Sequence, residues 1–279
     1  VNRNYFLYAI AYFFVYPWFG IFRWYKLVSN RYHISFSKAI KIYFFGEGLN
    51  LILPSKLGDL SKALYLKNYK ISPFSYASGT VVYEKILDLL SIIIIFILSF
   101  LLKGSLTLNN QNQIFASMFL ISLVIILLFN MHFLGDIILR LTPKNYRSSI
   151  LSFLTFLKFF KTLKQDPFTI LFFIFFSVLF WAGHMFQIYL FILAANIDIT
   201  YSQVLLYMPV VIIISLIPIS IAGFGTREIS LLYFFENLAL PENIVLASLM
   251  ISLRYIIPGL FGLSLLLLFG RKDFFKTVV

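Results

Sequence analysis

The sequence predicts an all-α integral membrane protein, a polytopic helical bundle with two opposed re-entrant helical hairpins. Three observations carry this. The 279 residues are 61% hydrophobic and only 12% charged, with a mean hydropathy of +0.91, too little polar surface for a soluble domain of this length. Apolar runs recur at the length a helix needs to cross a bilayer core, about 20 residues. The lysines and arginines gather in some of the intervening stretches and avoid the others, which is how a polytopic protein records its orientation.

Residues 5–22 form the first apolar run. Residues 38–54 are apolar but carry Gly46, Glu47, Gly48 and Asn50 and end at Pro54. With the short amphipathic stretch up to about residue 70 they read as a hairpin. Spans follow at 75–102 and 114–134. Residues 135–165 mix Leu and Phe with basic residues, the pattern of a connector lying on the membrane surface. Another span covers 167–195. Residues 203–237 are long and apolar but are interrupted by the stretch "IPISIAGFGTRE", and a last span covers 243–270.

The basic residues decide the sides. Between the first span and residue 75 lie Arg23, Lys26, Arg31, Lys38, Lys41, Lys56, Lys62, Lys67 and Lys70. The 135–165 stretch adds Arg140, Lys144, Arg147, Lys158, Lys161 and Lys164, and the tail adds Arg271, Lys272 and Lys276. The stretches 103–113, 196–202 and 236–242 hold only Lys103. Rich stretches are expected in the cytoplasm and poor ones outside, giving a multi-pass cell-membrane protein with a cytoplasmic C-terminus. Basic residues flank the first interrupted segment at both ends, and external-type loops flank the second. The hairpins 38–70 and 203–237 are therefore expected to dip in from opposite faces. Irregular backbone at that depth has to be buried in protein or line a cavity. Both tips place a proline before a glycine with an acidic and a basic residue nearby, "LPSKLGDLSK" and "IPISIAGFGTRE", as in the inverted repeats of transporters.

Composition also excludes chemistries. With no cysteine, disulfides, thiolate metal sites and catalytic thiols are out. His33, His132 and His184 lack metal-ligand spacing, and no metal or other cofactor is expected. The net charge of +12 reads as cytoplasmic loops facing anionic lipid, not as a nucleic-acid surface. "GFGTRE" lacks the third glycine and the preceding strand of a dinucleotide loop. No charged leader or small-residue cleavage site follows Val1, so a signal peptide is not expected.

At the second tip, Pro218, Ser220, Gly223 and Gly225 allow a tight turn. A helix restarting near Thr226 presents unpaired N–H groups that favour an anion. Arg227 adds a planar fork for phosphate or carboxylate, and Glu228 complements the helix dipole. The competing reading is that Arg227 and Glu228 only tie the hairpin into the helix packing. At the first tip, Glu47 and Asn50 share a helix face, Lys56, Gly58 and Asp59 form the exit, and Asp59 is placed to cap the next helix. Lys56 and Lys62 suit the cytoplasmic headgroups as well as they suit binding. Glu84 and Asp88 stand one turn apart, with Lys85 turned away by about 100°; they serve either a polar seam or a solvated face. Arg254 lies mid-span, where an arginine costs about 2.5–3.5 kcal/mol to insert and needs a partner or water.

These residues fall into motifs. Arg23-Trp24, Gly46 with Asn50, Pro54 with Gly58-Asp59, Glu84-Lys85 with Asp88, and Pro218, Ser220, Gly223, Gly225, Arg227-Glu228 together resemble the membrane domain of lysylphosphatidylglycerol synthases and their flippase-like relatives. The resemblance covers nearly the whole chain. It departs where Asp59 stands for the usual glutamate, and it implies that Val1 falls at the family's second helix. The resemblance implies a translocator that moves a polar-headed, phosphate-bearing lipid between leaflets, either an aminoacyl-phosphatidylglycerol or a polyprenyl-phosphate-linked glycan. It also implies a lipid-modifying enzyme or glycosyltransferase as partner. Some relatives carry a soluble aminoacyl transferase domain, which these residues lack, so synthase activity is not expected. Two rivals remain: an integral-membrane transferase using Glu84 and Asp88 as its acid pair, and a non-transporting scaffold for a lipid enzyme.

Overall fold

The computed structural model describes residues 1–103, 167–215 and 225–270. These residues are helical, with no strand among them. Helix α1 (Arg3–Ala11) passes through a 3₁₀ turn into α2 (Pro17–Ser29), where Pro17 occupies the first helical position that tolerates a missing N–H. Helix α3 (Phe36–Ile52) is capped by the Ser35 hydroxyl, which accepts the Lys38 N–H at 3.4 Å. A 3₁₀ turn (Pro54–Asp59) leads to α4 (Leu60–Asn68), and α5 (Phe74–Lys103) follows. The 30 residues of α5 extend about 45 Å.

Beyond the connector come α6 (Pro167–Ala194), α7 (Tyr201–Ser215), α8 (Thr226–Phe235) and α9 (Pro241–Leu265), which ends in a π-helical turn. Thr200 and Gln203 form a capping box at α7: the Gln203 side chain accepts the Thr200 N–H at 2.8 Å, and the Thr200 hydroxyl accepts the Gln203 N–H at 3.4 Å.

Among the described residues, three helical stretches are long and apolar enough to cross a membrane: Arg3–Ser29, Pro167–Ala194 and Pro241–Phe269. Their outward faces expose large apolar side chains such as Leu7, Phe168, Leu171, Phe175, Leu260 and Leu267, as expected where lipid takes the place of water. The spans read at 5–22, 167–195 and 243–270 thus coincide with helices, and 75–102 coincides with α5. The span at 114–134, the connector at 135–165, the tail from 271, and Pro218, Ser220 and Gly223 lie outside the described residues.

Two cores organise the bundle. One joins α1, α6, α7, α8 and α9 around Met185, Ile188, Phe191 and Phe235. The other joins α2, α3, α4 and α5 around Trp24, Ile42, Phe45 and Leu66. The first interrupted segment is a helix–turn–helix: the 3₁₀ turn lies so close on α3 that a Cβ on Gly58 would stand 2.3 Å from the Asn50 nitrogen. That approach is why glycine occupies the position. Helix α3 then meets α9 backbone to backbone, since a Cβ on Gly262 would lie 2.0 Å from the Phe44 carbonyl oxygen. This contact joins the two cores and sets α3 beside the C-terminal turns of α9.

Candidate functional site

Between the cores lies a cavity of about 40 Å³, room for about two or three waters. Its walls come from α2, α3, the 3₁₀ turn, α4, α5, α6 and α9, and they carry Glu47, Asn50, Asp59, Glu84, Asp88 and Arg254 from the sequence reading. Four residues not assigned to binding there join them: Arg23, Lys62, Lys85 and His184.

Six of these charges close into a ring of alternating sign. Arg23 donates to Asp88 through Nη1 at 2.7 Å and to Glu84 through Nη2 at 3.0 Å. Glu84 accepts from Lys62 at 2.8 Å, and Lys62 also pairs with Asp59 at 3.6 Å. Lys85 pairs with Asp59 and, at 3.8 Å, with Asp88. Each cation meets two carboxylates and each carboxylate two cations, so the ring is neutral. Ser177 accepts a further hydrogen bond from Arg23 at 2.7 Å, and Lys62 sits over the Trp24 and Tyr43 rings. Buried charges are tolerated when they are paired and hydrogen-bonded in this way.

The ring corrects four readings. Arg23 is not a loop charge but a buried residue of α2, 1% exposed. Lys62 is not a solvated loop charge; it is 2% exposed and held by two carboxylates. Lys85 does not turn away from the acids beside it. Asp59 occupies the N-cap position of α4 but makes no side-chain cap there, because its oxygens serve Lys62, Lys85 and the Asn50 amide, which donates at 3.3 Å. Glu84 and Asp88 take the polar-seam alternative. Gly58 contributes close approach, not a ligand, and the Lys56 side chain lies outside the described residues.

Across the cavity stands Arg254, 4% exposed at the middle of α9. Its Nη2 lies 2.6 Å from His184 Nδ1, and its guanidinium lies over the Tyr255 ring. Its Nε and Nη1 have no hydrogen-bond partner, and no salt bridge reaches it among the described residues. Leaving buried donors of a charged group unmatched costs about 1–3 kcal/mol or more. Glu47 lines the same cavity and acts electrostatically on Tyr16 and Tyr43.

The second tip is arranged differently. Gly225 has φ +92°, and the Glu228 carboxylate accepts its N–H. Arg227 is buried at the α8–α9 contact, donating to Ser248 at 3.3 Å and to Ser252 at 2.6 Å and pairing with Glu228 at 3.3 Å. Ser248 in turn donates to Glu228 at 2.6 Å. Neither Arg227 nor Glu228 lines the cavity, and their contacts with Ser248 and Ser252 are those of helix packing.

Five of the six ring members stand in the motifs that resemble one family, brought together from positions as far apart as Arg23 and Asp88. The family model described as the lysylphosphatidylglycerol synthase TM region matches residues 1–262. The chain belongs to this family. No curated protein and no solved structure matches the chain. As a member of the lysylphosphatidylglycerol synthase TM family, it is a membrane protein related to lipid handling. The signal for Arg23 was present in its motif, whereas Lys62 stands in none of them and only its buried pairing marks it.

Proposed function

We propose that this family member moves a phosphate-bearing lipid between bilayer leaflets, its head passing through the cavity beside Arg254. The observation that carries the reading is the pairing of a self-neutralised ring with Arg254, a buried arginine whose Nε and Nη1 have no hydrogen-bond partner among the described residues. The ring has little charge to offer a ligand. Arg254 offers a guanidinium, which suits a phosphate, and Glu47 on the opposite helix suits a cationic group on the same head. A cavity of about 40 Å³ has room for a few waters but not for a headgroup, so the walls have to part before one enters. In this reading the hairpins 38–70 and 203–237 dip from opposite faces as inverted halves, and their rocking opens the cavity to each side in turn. The apolar outer faces keep the acyl or prenyl chains in lipid. An aminoacyl-phosphatidylglycerol or a polyprenyl-phosphate glycan both satisfy this chemistry.

The test is reconstitution into phosphatidylcholine vesicles containing phosphatidylglycerol labelled on its acyl chain, read by quenching of the outer leaflet. The wild-type protein is expected to make the inner-leaflet probe accessible, and Arg254→Gln to lose that activity. Probe that stays in its leaflet with the wild-type protein would overturn the translocase reading for phosphodiester lipids. A modified headgroup, seen by mass spectrometry, would favour a transferase instead.

A further inference from the structure

The histidine that faces Arg254 is enclosed by aromatic rings. His184 lies on α6 between three aromatic rings, with centroids at 4.4 Å for Tyr16, 4.4 Å for Phe180 and 5.2 Å for Trp181. These rings fix the imidazole plane. Its Nδ1 is 2.6 Å from Arg254 Nη2. A guanidinium only donates, so Nδ1 accepts, and the imidazole is neutral with its proton on Nε2. The contact therefore has a direction: a preset acceptor on α6 holds one nitrogen of a mobile side chain on α9.

Arginine carries three N–H-bearing nitrogens on a long flexible stem, and holding it in one rotamer costs up to about 2 kcal/mol of side-chain entropy. The hydrogen bond to His184 takes up Nη2 and leaves Nε and Nη1, which are the two nitrogens without a partner among the described residues. From this division we infer that His184 is a positioning residue for Arg254: as a neutral acceptor in an aromatic box, it holds the guanidinium so that Nε and Nη1 stay available to an anionic headgroup. The inference rests on the translocase reading. It adds a residue that touches no lipid yet sets how tightly the lipid is held, and it assigns the aromatic residues Tyr16, Phe180 and Trp181 to orientation of that residue.

Two substitutions separate positioning from packing, because they move the two properties in opposite directions. His184→Phe keeps a ring in the box but removes the acceptor. His184→Asn keeps an acceptor at the same branch point but removes the ring. In the phosphatidylcholine vesicles with acyl-labelled phosphatidylglycerol, His184→Phe is expected to raise the half-saturating probe fraction about tenfold, the loss of one charge-assisted hydrogen bond. His184→Asn is expected to stay close to wild type in that assay while melting at a lower temperature in detergent than His184→Phe. If His184→Phe moves the probe with native half-saturation while Arg254→Gln does not move it, this inference fails and the translocase reading stands. If His184→Asn loses affinity as fully as His184→Phe, an acceptor at that position does not hold the guanidinium and the inference fails again. Native transport by Arg254→Gln, or none by the wild type, overturns both.

Discussion

Arg23 on α2 and Asp88 on α5, 65 positions apart in the chain, meet at 2.7 Å inside the bundle. The pair closes a ring that runs through Glu84, Lys62, Asp59 and Lys85 and so ties α2, α4, α5 and the 3₁₀ turn together. Stability of this half of the bundle then depends on complete charge alternation, since deleting one member leaves each of its two neighbours with a single counter-charge in a poorly solvating interior.

Glu84→Gln is the direct check. It keeps the side-chain volume and leaves Arg23 and Lys62 each with one carboxylate. Removing one partner of a buried pair costs about 3–5 kcal/mol, so the melting temperature in detergent is expected to fall markedly. Adding Lys62→Met restores charge balance, and the double variant is expected to lose less than the two single losses combined. Strict additivity would show that the ring is not a coupled unit.

The glycines make a second, comparative prediction. At Gly262 an added Cβ collides with the α3 backbone, whereas at Gly225 nothing among the described residues lies within 4 Å and the φ of +92° is what opposes a side chain. Gly225→Ala is therefore expected to cost about 1–3 kcal/mol of positive-φ strain. Gly262→Ala has to push α3 away from α9 and is expected to lower the melting temperature further. The reverse order would contradict the close helix contact.

Orientation is the third. Burial of Arg23 and Lys62 removes two charges from the loop count, and the asymmetry that remains keeps a cytoplasmic 135–165 stretch and tail as the expectation to be tested. The chain has no native cysteine, so Ser149→Cys can be probed alone with an impermeant thiol reagent. Labelling is expected only after cells are opened. Labelling of intact cells would invert the assignment.

The sequence exposed what depends on local pattern. Long apolar runs gave the helices, and the spacing of Glu84 and Asp88 put them on one face. Arg254 was conspicuous because a charge amid apolar residues has no local neighbour to account for it. Lys62 and Arg23 were misplaced for the opposite reason: other basic residues stand close to each in the chain, and hydropathy cannot tell a solvated lysine from one paired across 22 residues with Glu84. His184 was weighed only as a metal ligand. Its role follows from the arginine 70 positions away, and no spacing rule links residues on helices that meet only in the folded bundle.

The last prediction concerns Arg227, for which sequence reasoning left an anion cradle and a packing tie open. Its guanidinium is buried and already donates to Ser248 and Ser252, beside Glu228, and it stands outside the cavity walls. Such an arginine contributes chiefly by joining α8 to α9. Arg227→Ala is expected to leave Glu228 short of its counter-charge and, because that carboxylate is partly solvated, to cost about 1–3 kcal/mol. Arg227→Lys keeps the charge but not the planar fork, and its melting temperature is expected to fall between the two. Transport per folded molecule decides the role. If Arg227 is a packing tie, Arg227→Lys moves labelled phosphatidylglycerol with the native half-saturating fraction even though it melts earlier, while Arg254→Gln moves none at all. If Arg227→Lys instead raises the half-saturating fraction without loss of stability, the second tip binds the headgroup. The lipid path would then have to include the α8 terminus as well as the cavity beside Arg254.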